Sequence, residues 1–72
     1  MNKLRPLHSE DVLRALRHAG FEMIRRRGSH VRLKHPDGRV VTVPMHKEIG
    51  RGLLRKIIRD AELSVDEFFA FL

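Results

Sequence analysis

The chain has 72 residues, of which 42% are hydrophobic and 33% charged, a composition typical of a folded globular protein rather than of a disordered one. Fifteen lysines and arginines against nine acidic residues give a formal charge of +6, which favours an anionic partner: nucleic acid first, an acidic protein second, a membrane surface third. The absence of cysteine excludes disulfides, thiolate metal sites and a cysteine nucleophile. No segment has the apolar length of a signal peptide or membrane span, so we expect one cytoplasmic domain over residues 1–72.

The first element in chain order is predicted to be an amphipathic helix. Ser9 is a typical N-cap, and the acidic Glu10 and Asp11 that follow it suit the positive end of a helix macrodipole. Apolar residues then recur at helical spacing, namely Val12, Leu13, Leu16 and Ala19. Gly20 supplies the stop, so the sequence predicts a helix of about three turns with one face in the core.

Three strands are predicted next. Alternation from Phe21 predicts a first strand over residues 21–26, and a second follows over residues 29–35. The third strand, residues 39–43, is rich in β-branched side chains and ends at Pro44. Because Gly28 and the Pro-Asp-Gly sequence at residues 36–38 favour tight turns, these strands are expected to form an antiparallel sheet.

The second strand carries the sharpest candidate for chemistry. One of its faces has Ser29, Val31, Leu33 and His35, and the other has His30, Arg32 and Lys34. If the valine and leucine lie on the core, the opposite face presents an imidazole followed by two fixed cations. A histidine ordinarily titrates near pH ~6.5 and can move a proton near neutrality, while the cations would hold a phosphate against it. The alternative is that these polar side chains only cover an exposed strand.

Two more helices are predicted after a polar segment at residues 45–52. The main one carries an apolar stripe of Leu53, Leu54, Ile57, Ile58 and Ala61, with Arg51, Arg55 and Arg59 four residues apart on another face. The run from Ser64 to Glu67 fits a capping box, which predicts a short C-terminal helix. The order therefore predicts an α+β fold of the α-β-β-β-α type, with both main helices on one face of the sheet and the other face open.

Further basic residues are candidates for binding a nucleic acid backbone. Besides Arg32 and Lys34, they are Arg26, Lys47, Arg51 and Arg55, although a basic helix face is often only solvated. Of the three consecutive arginines at residues 25–27, at least one is expected near the open face. The histidines and carboxylates match no zinc or magnesium pattern, so no metal is expected. The aromatic residues are four phenylalanines, of which Phe21, Phe68 and Phe69 are expected in the core, and this argues against recognition by stacking many bases.

Several short motifs occur in a characteristic order along the chain. They are Gly20-Phe21, Arg27-Gly28-Ser29-His30, Lys34-His35-Pro36, Val41-Thr42-Val43-Pro44, Lys47-Glu48-Ile49, Gly52-Leu53-Leu54, Ile57-Ile58 and Asp60-Ala61. On these residues the chain, from Ser9 to Leu63, resembles the HicA toxins of bacterial and archaeal toxin–antitoxin pairs, also called YcfA-like proteins.

The resemblance implies a fold like that of double-stranded RNA-binding domains. It also implies an mRNA interferase that needs no metal or other cofactor, and a HicB antitoxin that masks the active face. The free toxin is then expected to be a monomer that joins a larger complex with its antitoxin. The family's catalytic histidine follows the glycine that precedes the second strand, which makes it His30 here. Glu62 stands where the family usually has a helix-stopping glycine, which would allow the second helix to continue by a turn and would change the placement of residues 63–72.

Three functional hypotheses follow. The first is an endoribonuclease toxin of a type II pair that acts on single-stranded mRNA, with His30 moving the proton after attack by the 2′-hydroxyl or by water. Its second proton donor is unassigned among Lys34, His46 and solvent. The second hypothesis is a non-catalytic RNA-binding module. The third is an interaction module for an acidic protein.

Overall fold

The structure is a computed structural model that describes residues 2–72. Its elements in chain order are β1 (Leu7–His8), α1 (Ser9–His18), β2 (Glu22–Arg27), β3 (His30–Lys34), β4 (Val40–Pro44), β5 (Glu48–Ile49), α2 (Arg51–Asp60) and α3 (Val65–Ala70). The predicted α-β-β-β-α order with a short C-terminal helix is confirmed. Strands β2, β3 and β4 form an antiparallel sheet in that spatial order. Within residues 2–72, no helix has the length and apolar character needed to cross a membrane.

The core lies between the sheet and the helices. Alternation along β3 buries Val31 and Leu33 completely and leaves the residues between them exposed. They share the core with residues of the adjacent strand β4 and of all three helices, which include Val12, Leu16, Val41, Val43, Leu54, Ile57 and Phe68. Full burial of each large apolar side chain contributes about 1.5–3 kcal/mol. Because α1 and α2 cover only this face, the other face of the sheet meets solvent.

A two-stranded ribbon that was not predicted precedes α1 and α2. The expected polar segment contains β5, whose Glu48 and Ile49 pair with His8 and Leu7 of β1. Ile49 is fully buried, and the His8 ring lies 2.9 Å from the carbonyl oxygen of Lys47 through Nδ1. The ribbon therefore ties the beginning of α1 to the beginning of α2.

The ribbon also changes how α1 begins. Ser9 was expected to cap this helix, but it is the first helical residue, and the N-cap is His8, which makes no side-chain capping bond. The pairing of β1 with β5 ends at His8, so α1 begins directly at Ser9, one residue before the predicted start. Ser9 is only 5% exposed in this position. The predicted serine cap is wrong, whereas the predicted capping box at Ser64 and Glu67 is present at the start of α3.

Both main helices end with the same hydrogen-bonding pattern, but only α1 ends with glycine. At the end of α2, the Glu62 N–H donates to the Arg59 carbonyl (2.9 Å) and the Leu63 N–H donates to the Ile58 carbonyl (3.2 Å). Glu62 has a φ of +57°, a left-handed conformation that side chains other than glycine adopt at a cost. The extra turn of α2 predicted from the absence of a glycine at position 62 is therefore not formed. Residues 65–70 instead form α3.

Replacing Glu62 by glycine is expected to stabilise the protein by about 0.5–1 kcal/mol, because glycine removes the left-handed strain, less the extra freedom it gives the unfolded chain. For a domain of this size, 1 kcal/mol raises Tm by roughly 4–8 °C in a thermal melt. Glu62→Ala is the matched control, since it removes the carboxylate but keeps the strain, and it should leave Tm nearly unchanged. An equal rise in both variants would show that the charge of Glu62 matters instead.

The turn between β3 and β4 is tied to the end of α2 by one arginine. The Arg39 guanidinium donates to the Asp37 carboxylate (2.9 and 3.0 Å) and to the Ala61 carbonyl (2.6 Å), and it lies 5.2 Å from the centre of the Phe21 ring. A cation at the negative end of a helix is favourable. The hydrogen bond from Arg39 holds the pKa of Asp37 at about 2, below its usual 3.8.

Candidate active site on the open face of the sheet

The open face of β3 presents the three residues expected there. His30, Arg32 and Lys34 are all exposed, while the side chains between them are buried, so the predicted sorting of this strand onto two faces is confirmed. The polypeptide turns at Gly28, where φ is +58°, and enters β3 at once, which puts His30 at the very end of the strand. His30 lies opposite Pro44, the last residue of β4. It is therefore at the end of the sheet from which the chain continues to α2.

A β-bulge in β2 decides which arginines share this face. Arg25 pairs with Arg32 and Arg27 pairs with His30, whereas Arg26 pairs with the buried Val31. Residues directly opposite each other in an antiparallel pair point to the same side of the sheet. Arg25 and Arg27 therefore lie on the open face. Arg26 has the opposite orientation, and its Nε–H donates to the Gly28 carbonyl at 3.3 Å.

These side chains surround a shallow groove of about 160 Å³ on the open face. It is lined by Arg25, Arg27, His30, Arg32 and Thr42. Thr42 of β4 lies directly opposite Arg32 and adds a hydroxyl to the site. In the part of the chain that the structure describes, residues 2–72, none of the three arginines is paired with a carboxylate. Three unpaired guanidinium groups around an imidazole have the charge and hydrogen-bond donors that an anion such as a phosphodiester requires.

The other predicted binding residues lie outside this groove. Lys34 is four residues along β3 from His30, about 13 Å at the usual strand rise, and it faces Glu22 of β2. Lys47 is exposed on the segment before β5. Arg51 and Arg55 belong to α2, on the helix side of the sheet, and line a second groove with Lys3 and its neighbours. Of the seven predicted residues, only His30 and Arg32 line the groove on the open face.

At least one of Arg25, Arg26 and Arg27 was expected near the open face, but the residue selected for the site was Arg26, and Thr42 was not predicted. Strict alternation from Glu22 puts Arg26 on the open face, and the bulge between Met23 and Arg25 reverses that assignment. No residue type in β2 indicates a bulge, so the pairing register with β3 is needed to place these arginines. Thr42 follows from the same register, because it is the residue of β4 opposite Arg32.

The remaining histidines have other positions. His35 faces the core side, as predicted: its ring packs edge-on against Phe21 with centroids 5.2 Å apart, and its Nδ1 lies 3.0 Å from the Asp37 carboxylate. His46 is exposed two residues after Pro44, at the same end of the sheet as His30. Across residues 2–72, no three histidine or carboxylate side chains come close enough to hold a metal ion.

Comparison with known proteins gives the family. A search of curated proteins found no match to the chain. A family model described as HicA toxin of bacterial toxin-antitoxin matches residues 9–63 of the 72-residue chain. This range spans both main helices and the whole three-stranded sheet, including the groove at His30. The chain therefore belongs to the HicA toxin family of bacterial toxin–antitoxin systems.

Proposed function

We propose that this protein is the toxin of a type II pair and that it cleaves single-stranded mRNA in the cytoplasm as a metal-independent endoribonuclease. The observation that carries the proposal is the position of His30, exposed in a groove whose other lining residues include three unpaired arginines. The groove places an imidazole, a side chain that commonly acts as a general acid or base, beside fixed charges that can hold a phosphodiester. Membership of the HicA toxin family supports RNA as the phosphodiester, because the resemblance to these toxins implies an mRNA interferase.

The first chemical step uses His30 as a general base. Its neutral imidazole accepts the proton of a ribose 2′-hydroxyl while the 2′ oxygen attacks the adjacent phosphorus. The bond from phosphorus to the 5′ oxygen of the next nucleotide then breaks, and this oxygen takes a proton from His46 or from solvent. Lys34, about 13 Å along the strand, is too far from His30 for this role. The products are a 2′,3′-cyclic phosphate and a 5′-hydroxyl.

The arginines hold the substrate and stabilise the charge that develops. Attack on the phosphorus adds negative charge to its non-bridging oxygens, and guanidinium groups donate charge-assisted, often bidentate hydrogen bonds to such oxygens. Arg25 and Arg32 lie opposite each other on neighbouring strands, and Arg27 lies opposite His30, so the cations flank the base. We take the 2′-hydroxyl as the nucleophile because the substrate itself holds it beside the phosphorus that is attacked.

Analysis of the product ends tests the reaction. Purified protein incubated with end-labelled RNA and a chelator is expected to yield 2′,3′-cyclic phosphate and 5′-hydroxyl ends, and a DNA strand of the same sequence should stay intact. Products with 5′-phosphate ends, or cleavage that the chelator abolishes, would contradict the mechanism. Binding without cleavage at every pH and salt concentration would support a non-catalytic RNA-binding module instead.

The antitoxin partner follows from the same surface. We propose that a HicB-like antitoxin presents acidic side chains to the groove at His30 and so excludes RNA, because the unpaired arginines there would be neutralised in the complex. The free toxin is then a monomer that joins a larger complex with its antitoxin. An acidic partner that binds without protecting RNA from cleavage would contradict this arrangement.

A further inference from the structure

The exposed face of α2 carries a basic stripe that the reaction at His30 does not use. The stripe consists of Arg51, Arg55 and Arg59, four residues and therefore about 6 Å of helix rise apart. Arg51 and Arg55 also line a groove together with Lys3 from the N-terminal segment. Lys56 on the same helix is paired with Asp60 at 2.8 Å, whereas no carboxylate within residues 2–72 pairs with the stripe.

The basic stripe is unfavourable for α2 itself. Like charges at i and i+4 repel each other, and Arg51 is the first helical residue, where the macrodipole disfavours a cation. By contrast, α1 and α3 each have two acidic residues in the first turn. The first turn of α2 has none. No acidic residue in the first turn of α2 offsets the charge of Arg51, so an anion from outside the molecule would relieve this unfavourable charge.

A short segment connects the strand end opposite His30 to the basic stripe, which lies on the helix layer. Pro44, which lies opposite His30, is followed by residues 45–50, and Arg51 comes directly after them. Lys47 is exposed on this connecting segment. The sheet and the helices form two layers, and the smallest extent of the Cα positions is 16 Å. An RNA strand that contacts both the groove at His30 and the basic stripe therefore passes over residues 45–50, beside Lys47.

We propose that RNA leaving the groove at His30 passes over residues 45–50 and lies along α2, with its phosphates bound by Arg51 and Arg55. This inference rests on the proposed function and adds to it a second, non-catalytic contact that only a long RNA can reach. The regular spacing of the arginines is comparable with the separation of consecutive phosphates along a strand. The groove they line exposes slightly more polar than apolar surface and is lined by three cations, which suits a phosphodiester backbone better than the apolar centre of a protein interface.

The test compares two variants that each remove two positive charges. One is Arg51→Gln with Arg55→Gln, and its matched control is Arg14→Gln with Lys56→Gln, whose cations are already paired with Asp11 and Asp60. Both are made in a His30→Ala background, and affinity is measured by fluorescence anisotropy with single-stranded RNA of about 4 and about 20 nucleotides. Because this protein is not required to cut RNA, the outcome does not depend on whether the proposed reaction is correct.

The Arg51 and Arg55 variant is expected to bind the long RNA about tenfold more weakly and the short RNA with unchanged affinity. Its plot of log affinity against log salt for the long RNA should be shallower by about 1.4, or ~0.7 for each lost phosphate contact. The control variant should bind both RNAs nearly as the parent does. An equal loss in both variants, or no loss in either, would overturn the proposal. So would normal RNA binding with lost affinity for a poly-glutamate peptide, which would assign the stripe to an acidic protein.

Discussion

Replacement of His30 by alanine is expected to lower the rate of RNA cleavage by about 10²–10⁴-fold, which is the usual contribution of a positioned general base. The side chain is exposed at the end of β3, and the structure gives it no packing role in the core. The free energy of unfolding should therefore change by no more than about 0.5 kcal/mol. Affinity for RNA should also be nearly unchanged, because the arginines of the groove supply the phosphate contacts.

Lys34→Ala provides the matched control for His30→Ala. It removes a polar side chain from the same strand and the same face, but at the end that lies opposite Glu22. Cleavage by this variant should fall by only a few-fold through weaker long-range attraction of RNA. Full activity of the His30→Ala protein would refute the assignment of the general base. A large fall in Tm would show instead that the lost activity reflects misfolding.

The sequence predicted β3 well because its two faces have sharply different environments. Val31 and Leu33 must be buried, and a slip of one residue would move both into solvent, so the alternation fixes the exposure of His30 and Arg32. The turn residues on either side of the strand reinforce the same register. This is why the histidine could be placed before any contact was known.

The orientation of the arginines in β2, the neighbouring strand, was not predicted correctly. Strand β2 is an edge strand whose residues are all exposed, so neither of its faces is fixed by a strong hydrophobic pattern. Met23 and Ile24 are both about half exposed, and the chain bulges there without burying either of them. Only pairing with β3 determines that Arg25 and Arg27, and not Arg26, lie beside His30.

Long-range pairing also explains why the ribbon was not predicted. Strands β1 and β5 have two residues each, too few for any periodicity, and they form because each finds the other about 40 residues away. In the same way, α2 ends at Asp60 although Glu62 is not glycine. Arg39, from a distant turn, binds the Ala61 carbonyl and helps to fix the chain direction there. Such contacts depend on the assembled fold rather than on the local sequence.

Gly20 is the position where a small substitution is expected to affect stability most. Its φ of +104° lies in the region that favours glycine, and it ends α1 through its N–H bond to the Arg17 carbonyl at 3.0 Å. A Cβ added at this position would lie 2.8 Å from Nε2 of His35. The imidazole is only 21% exposed and is held by Phe21 and by Asp37, so it cannot easily move away.

Gly20→Ala is therefore expected to destabilise the protein by about 2–4 kcal/mol, the sum of left-handed strain and overpacking. In a domain of this size, each 1 kcal/mol lowers Tm by roughly 4–8 °C, so the change is large in a thermal or denaturant melt. Gly38→Ala separates the two causes. Gly38 has nearly the same φ, +101°, but no atom within 4 Å of the added carbon, so only the strain of about 1–2 kcal/mol should be lost.

A double-mutant cycle with His35→Ala then isolates the contact between residues 20 and 35. In the His35→Ala background the steric conflict is gone, and the loss caused by Gly20→Ala should shrink to the loss measured for Gly38→Ala. An unchanged loss in that background would mean that the close approach of the imidazole contributes nothing and that backbone strain is the whole effect. The predicted shrinkage would instead show that Gly20 serves two purposes: it ends α1, and it makes room for the histidine that packs between α1 and the turn at Asp37.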